Sequence, residues 1–269
     1  MARVARFERK GSVQTAINLG AGWQELQGEL FGDYRAGPVI DVPDSPRLSP
    51  VDPPAIYCIG LNYREHAKEV GLELPEYPVL FMKSVAALSG HGYHIENPTQ
   101  AGSNKLDYEC ELAVVIGRDC KNVSAAEALD YVAGYTCAND VSARDWQMEW
   151  GGGQFCRGKT FDTFCPLGPE LVTTDEIDNP NALRISTLVN GNRVQESTTA
   201  DMIFDVPTLI EFLSASCTLL AGSVILTGTP SGVGAGRTPP LWLKAGDSVT
   251  IEIEKIGSLE NSVIEEKIG

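Results

Sequence analysis

The apolar residues of this chain fall in short runs bounded by turn-forming residues, and that punctuation leaves room for little but a strand-rich fold. Ala55 to Gly60, Leu112 to Gly117, Leu183 to Val189 and Val224 to Thr227 have strand length and composition. Ser248 to Glu254 alternates cleanly after a turn at Lys244–Asp247. With 27 glycines and 16 prolines in 269 residues, turns are frequent and long helices disfavoured. Two helices stand out. Ser124-Ala-Ala-Glu127 is a capping-box pattern, followed by Ala128, Leu129 and Val132 at helical spacing. Asp205-Val-Pro207 can open the second, with Leu209, Ile210, Phe212 and Leu213 on its core face. There is no internal repeat and no regular βαβ alternation, so the expected class is mainly β with few helices. Residues 1–50 end in the proline-rich connector Asp41–Pro50 and are read as a small N-terminal element, with 51–269 as the main domain.

The formal charge of −15 sets the chain against nucleic acid and anionic membranes, because phosphate binding needs a positive field. An anionic substrate must then be drawn in locally, by a metal ion or by particular Lys and Arg residues. Seven cysteines without a CxxC pair, several inside apolar runs, read as buried free thiols of a reducing compartment. No run of 18 apolar residues occurs, so no membrane span is expected. The expected location is cytoplasmic; the basic start Met1–Lys10 leaves a mitochondrial address open, weakened by Glu8.

The sharpest local feature is Asp107-Tyr-Glu109-Cys-Glu111, directly before the strand Leu112–Gly117. In an extended chain, residues two apart share a face at a spacing of roughly 6–7 Å, so Glu109, Glu111 and Asp107 are expected to aim together. Carboxylates so placed repel unless a cation or a shared proton relieves them, and a hard cation such as Mg²⁺ prefers oxygen ligands. The other reading is a solvated strand face. Asp140 lies in a second acidic stretch, with Arg144 and Gln147 spaced for one face of a helical turn; a turn cap with a surface ion pair is the competing reading. Lys159 stands in Arg157-Gly-Lys-Thr160, which lacks the spacing of a phosphate loop. His66 and Glu69 are one helical turn apart, the arrangement in which a carboxylate fixes an imidazole tautomer for general base work; an exposed surface pair is the alternative. The segment from Asn62 to Pro78 reads as a lid. The turn Thr227–Gly234 can bind a carboxylate through its amides as a small nest, or be an ordinary turn. His91 and His94 receive no role.

Taken in order, GLNYREHAKE, DYECELAVVIG, NDVSARDWQ, RGKTFDTFCPLG and ILTGTPSGVG with LKAGDSVTIEIE resemble the fumarylacetoacetate hydrolase family over about residues 51–269. The resemblance implies a mixed β-sandwich roll and a homodimer. It implies Mg²⁺, or Mn²⁺ or Ca²⁺, on Glu109, Glu111 and Asp140; a His66–Glu69 dyad on a mobile lid; an active-site lysine at Lys159; and substrate contacts at Thr229, to which Arg144 and Gln147 are added. A fourth carboxylate ligand known in the larger hydrolases has no counterpart in the sequence. The substrate so implied is a small 2-oxo or diketo acid that reacts through its enolate, with the ion as Lewis acid. Within the family, VSARDWQM and GKTFDTFCPLGP favour oxaloacetate keto–enol tautomerisation. The alternatives are acylpyruvate or fumarylpyruvate C–C hydrolysis and oxaloacetate decarboxylation, since family membership does not settle the reaction.

Overall fold

The structure is a computed structural model and describes residues 2–267. Strands dominate, in two main sheets. The larger runs in the spatial order Tyr34–Val39, Trp23–Gly28, Ser12–Asn18, Arg3–Arg9, Cys165–Thr173, Val132–Asn139, Cys110–Ile116, Val224–Leu226, Ile56–Gly60 and Val79–Lys83, with the short strand Leu88–Ser89 joining Cys165–Thr173. The second holds Asn192–Thr198, Arg184–Val189, Ser248–Ile253, Gly257–Glu265 and His94–Asn97. Most neighbours are antiparallel, but Val224–Leu226 runs parallel to Ile56–Gly60, and Gly257–Glu265 parallel to His94–Asn97. The sheets are therefore mixed, as the β-sandwich roll requires. They meet where Cys110–Ile116 and Val132–Asn139 pack against Arg184–Val189 and Ser248–Ile253. All seven residues of Cys110–Ile116 are buried, so this strand is covered on both faces, whereas Ser248–Ile253 keeps the alternation of a one-sided strand. The first four strands fall within residues 1–50, and Arg3–Arg9 continues the large sheet by pairing with Cys165–Thr173.

Of the two expected helices, Val206–Ser214 forms as read. Asp205 caps it by accepting the Thr208 N–H at 2.9 Å, Pro207 sits in the first turn, and Val206, Leu209, Ile210 and Leu213 are buried. The other does not extend. Ser124 Oγ closes on Glu127 Oε2 at 2.7 Å, but only the single 3₁₀ turn Ala128–Tyr131 follows. Val132 already opens a strand, because the Tyr131 carbonyl accepts the Gly117 N–H at 2.7 Å and draws the chain into the sheet. Tertiary pairing overrides local helix signals here.

Candidate active site

Strand register assembles the acidic cluster. Cys110 pairs with Asn139, which places Glu109 and Asp140 opposite each other just beyond the ladder, with Glu111 two residues further in. The Asp140 N–H donates to the Glu109 carbonyl at 2.9 Å, and the Glu109 N–H to Asn139 Oδ1 at 3.0 Å, so the join is fixed by backbone and side chain together. Oxygens of Glu109, Glu111 and Asp140 lie within 4.8 Å of one another, and all three residues are buried. Asp107 does not aim with them. It belongs to a separate short ladder with Ser142, and the chain leaves the extended alternation at Tyr108 before Cys110 begins the next strand. The Asp107 carboxylate instead accepts N–H groups of Tyr108, Gly234 and Ala235 and the Nε–H of Arg144 at 2.8 Å.

Cations surround the cluster. Lys159, buried on the short helix Cys156–Lys159, places Nζ 2.6 Å from Glu109 Oε2 and 2.9 Å from Asp140 Oδ2. Arg144 reaches Glu109 Oε1 at 2.7 Å through Nη2 and donates through Nη1 to Gln147 Oε1 at 2.8 Å. Lys83, which the sequence reading passed over, ends the strand Val79–Lys83 with its ammonium 2.5 Å from Asp140 Oδ1, donating also to the carbonyls of Val141, Lys159 and Phe164. Burial alone would raise the Glu109 carboxyl, but Lys159 and Arg144 hold it well below the usual carboxylate range. Burial lowers Lys159, yet Asp140 and Glu109 more than restore its ammonium, and Arg144 is likewise held charged. Glu111 goes the other way. Burial and then repulsion by Asp140 and Glu109 push it far up, and Lys159 and the Gly228 N–H at 2.6 Å offset this only in part. An all-oxygen set with one carboxylate unable to ionise comfortably suits a hard divalent cation, which would remove the repulsion.

The remaining predicted residues gather around the same point. Helix Arg64–Glu69 carries His66, whose Nδ1 lies 2.9 Å from Glu69 Oε2. Thr229 accepts a hydrogen bond from Gln195 Nε2 at 2.9 Å. A cavity of about 180 Å³ is lined by His66, Glu109, Glu111, Arg144, Gln147, Lys159 and Thr229, with apolar walls from Val70, Leu72, Phe81, Met148, Phe155 and Val233. Glu69 stands one hydrogen bond behind His66, and Asp140 behind Lys159. His91 and His94 lie elsewhere, bonded to the Glu260 N–H and to Ser262 Oγ. Two larger surface hollows, each about 560 Å³, hold no such cluster; the arginines of one, Arg3, Arg184 and Arg193, already face glutamates.

The glycine-rich turn does bind carboxylates, and they are the chain's own. Gly228 donates to Glu111, Gly232 to Glu69 at 2.8 Å, and Gly234 with Ala235 to Asp107. One loop thereby sets the acidic cluster, the dyad and the residue that anchors Arg144. Asp107 and Gln195 were missed as supports. Gln195 carries no local signal, whereas Asp107 sits in the acidic motif itself and was legible as an acid but not as a hub.

Residues 55–264 match the family model for the fumarylacetoacetate hydrolase C-terminal domain. A human protein named oxaloacetate tautomerase FAHD2A, mitochondrial, is 46% identical over 228 residues, covering 84% of this chain and 72% of that one. A Dictyostelium discoideum fumarylacetoacetate hydrolase domain-containing protein 2 homolog is 48% identical over 224 residues, covering 80% of this chain and 73% of the other. Among solved structures, the 2-hydroxyhepta-2,4-diene-1,7-dioate isomerase of Mycobacterium marinum superposes with a TM-score of 0.85 at 38% identity and full coverage of both chains. A fumarylacetoacetate hydrolase from Exiguobacterium antarcticum gives 0.86 at 35%, covering 99% of this chain and 100% of that one.

Proposed function

Because the chain belongs to the fumarylacetoacetate hydrolase family, we propose that it is a divalent-metal-dependent enzyme that interconverts the keto and enol forms of oxaloacetate. The observation that carries this reading is the buried Glu109–Glu111–Asp140 cluster with Lys159 bridging two of its carboxylates at the wall of a small cavity. Relatives at 46–48% identity that are named oxaloacetate tautomerases support this reaction over the family's others. Glu109, Glu111 and Asp140 would hold Mg²⁺, with Mn²⁺ and Ca²⁺ as substitutes. The bound ion supplies Lewis acidity toward a 2-oxo acid. Four carboxylates, counting Asp107, face the three cations Lys83, Lys159 and Arg144, so a divalent ion turns a formal −1 into +1 and prepares the site for an anion. In ketonisation the enol O–H proton would leave to solvent, the Lys159 ammonium would protonate the substrate carbon, and the amine would regain a proton from solvent; enolisation would run the same transfers in reverse. Arg144, Gln147 and Thr229 orient the carboxylates, and Val70 and Leu72 on the segment after His66 help to exclude water.

The runner-up is hydrolysis of an acylpyruvate, with His66 activating water and Glu69 orienting its ring; decarboxylation of oxaloacetate is a third outcome. The apolar walls of Leu72, Met148, Phe155 and Val233 favour the runner-up specifically, since an acyl tail would rest on them. The deciding assay follows oxaloacetate enol, acetylpyruvate and fumarylpyruvate with and without EDTA. Metal-dependent ketonisation without C–C cleavage supports the tautomerase. Fast acetylpyruvate cleavage selects the hydrolase.

A homodimer is part of this proposal. The edge strand Val79–Lys83 and the residues after it expose Leu80, Met82 and Val85, and an apolar strand edge left in water invites pairing. Light scattering on the purified chain would read its mass. The free cysteines fit a reducing compartment, cytoplasmic or mitochondrial, and among the described residues no helix is long and apolar enough to cross a membrane.

A further inference from the structure

The Glu69 carboxylate has a second contact besides the His66 imidazole. Oε2 meets His66 Nδ1 at 2.9 Å, while Oε1 accepts the Gly232 N–H at 2.8 Å, 163 residues away in sequence. The carboxylate thus ties helix Arg64–Glu69 to the glycine-rich loop. Its fit there is close. A methyl group added at Gly236 would stand 2.6 Å from Glu69 Cδ and 2.8 Å from Oε1. These are contacts that a carbon does not make without displacing something. Gly232 itself is locked, with φ +100° and a hypothetical Cβ only 2.3 Å from the Val194 carbonyl oxygen. Gly236 has no such constraint: its φ lies outside the left-handed region, and the three atoms nearest to a Cβ there all belong to the Glu69 side chain. An alanine there is compatible with the backbone dihedrals, and its closest conflicts are with Glu69.

We propose that Gly236 is a positioning residue for the His66–Glu69 dyad, its missing side chain reserving the space in which Glu69 is held by the Gly232 N–H and from which it orients His66. The activity part of the inference rests on the hydrolytic alternative, in which His66 activates water and Glu69 orients its ring; the positioning part stands on the contacts alone. The loop that grips Glu111 through Gly228 then grips Glu69 through Gly232, so the acidic cluster and the base share one backbone reference. Glu69 is held below the usual carboxylate range by His66 and Gly232 against the effect of burial, in keeping with two donors on one carboxylate. Displacing it by about 1 Å would leave His66 free to turn, and a misplacement of that size can cost on the order of a hundredfold in rate.

The test uses Gly236→Ala in the whole chain loaded with diamagnetic Mg²⁺. The variant should fold with a melting temperature near that of the wild type, since the nearest atoms in the way belong to a flexible side chain. Nitrogen NMR of the His66 ring reads the geometry without activity. The wild type should show a single Nδ1–H tautomer, and Gly236→Ala a mixture. Activity on the substrate that the His66→Ala variant handles poorly should fall by roughly 10–100-fold, mainly in kcat, by the misplacement argument. In a Glu69→Gln background the same alanine should cost little more, because the two changes act through one contact. Unchanged tautomer populations in Gly236→Ala, or losses that simply add to those of Glu69→Gln, would overturn the proposal. If the tautomer shifts but no 2-oxo acid is turned over by the wild type, the positioning stands and the functional reading fails.

Discussion

The ammonium of Lys83 lies 2.5 Å from Asp140 Oδ1, and neither side chain has any exposure to solvent. The same ammonium binds the carbonyls of Val141, Lys159 and Phe164, so one buried charge holds the metal-ligand candidate, the residue after it and the backbone of Lys159. Removing one partner of a buried pair strands the other, at a cost of about 3–5 kcal/mol. Lys83→Met should therefore lower stability by an amount near the bottom of that range, since Lys159 still faces Asp140 Oδ2. Urea unfolding in EDTA measures it, and saturating Mn²⁺ should recover part of the loss by giving Asp140 a new counter-ion. A loss below about 1 kcal/mol would mean that the pair contributes no more than an exposed one.

Glu111 should behave in the opposite way. Its ionised form is opposed first by burial and then by Asp140 and Glu109, so the metal-free protein is strained at this position above the ordinary carboxylate range of pH. Glu111→Gln keeps the shape and an acceptor for the Gly228 N–H. The amide variant is expected to be at least as stable as the wild type in EDTA, while binding of Mn²⁺ falls below detection by calorimetry. The pairing of a neutral or favourable stability effect with lost ion binding is the signature of a ligand. A variant that is destabilised yet still binds Mn²⁺ would remove Glu111 from the ligand set.

Much of this site was legible because its residues lie in compact stretches. Glu109-x-Glu111 gives its geometry away through strand periodicity, and His66-x-x-Glu69 through helix periodicity. Lys83 was not, since nothing in Val79–Ser84 separates a lysine that leaves a strand toward water from one that turns inward. Its position follows from pairing opposite Ile56, in a strand that joins a sheet built from distant segments. Asp107 failed for a related reason: alternation predicts its direction only while one ladder continues, and two ladders meet at Tyr108. The Thr227–Gly234 turn could be read as an anion nest, yet which carboxylates fill it depends on contacts more than a hundred residues apart. Most of the fold followed from short apolar runs. The helix after Ser124 did not, because a capping pattern cannot register the competing pull of Gly117 on Tyr131.

His91 carries a pH dependence remote from the site. Burial lowers its imidazole below the usual value, with Glu260 offsetting part of the effect, and its Nδ1 accepts the Glu260 N–H at 3.1 Å. A protonated Nδ1 cannot accept. The folded-state pKa lies under the unfolded one, so as the pH falls through about 6.5 the unfolded chain takes up the proton first and stability declines from there downward. Melting curves at about pH 7.5 and about pH 5.5 should show a smaller drop for His91→Gln than for the wild type. Equal drops would assign the acid sensitivity to other groups.

The choice between proton shuttle and water activation rests on Lys159 and His66. Lys159 is buried against Glu109 and Asp140, kept charged by them, and opens onto the cavity. His66 lines the same cavity from the helix that Glu69 ties down. Moving a proton between oxaloacetate enol and its keto form needs a carrier and no attacking water, so Lys159→Met should slow ketonisation more than His66→Ala does. Hydrolysis needs a base for water, and general base catalysis typically contributes about 10²–10⁴-fold, so His66→Ala should cost that much on acetylpyruvate if cleavage occurs. Because Lys159 also neutralises two carboxylates, Mn²⁺ affinity of Lys159→Met has to be measured alongside. Retained affinity with lost ketonisation locates the defect in proton transfer. Acetylpyruvate cleavage that is fast in the wild type and lost in His66→Ala would replace the tautomerase by the hydrolase, and the apolar walls at Leu72 and Phe155 would then read as the seat of the acyl tail.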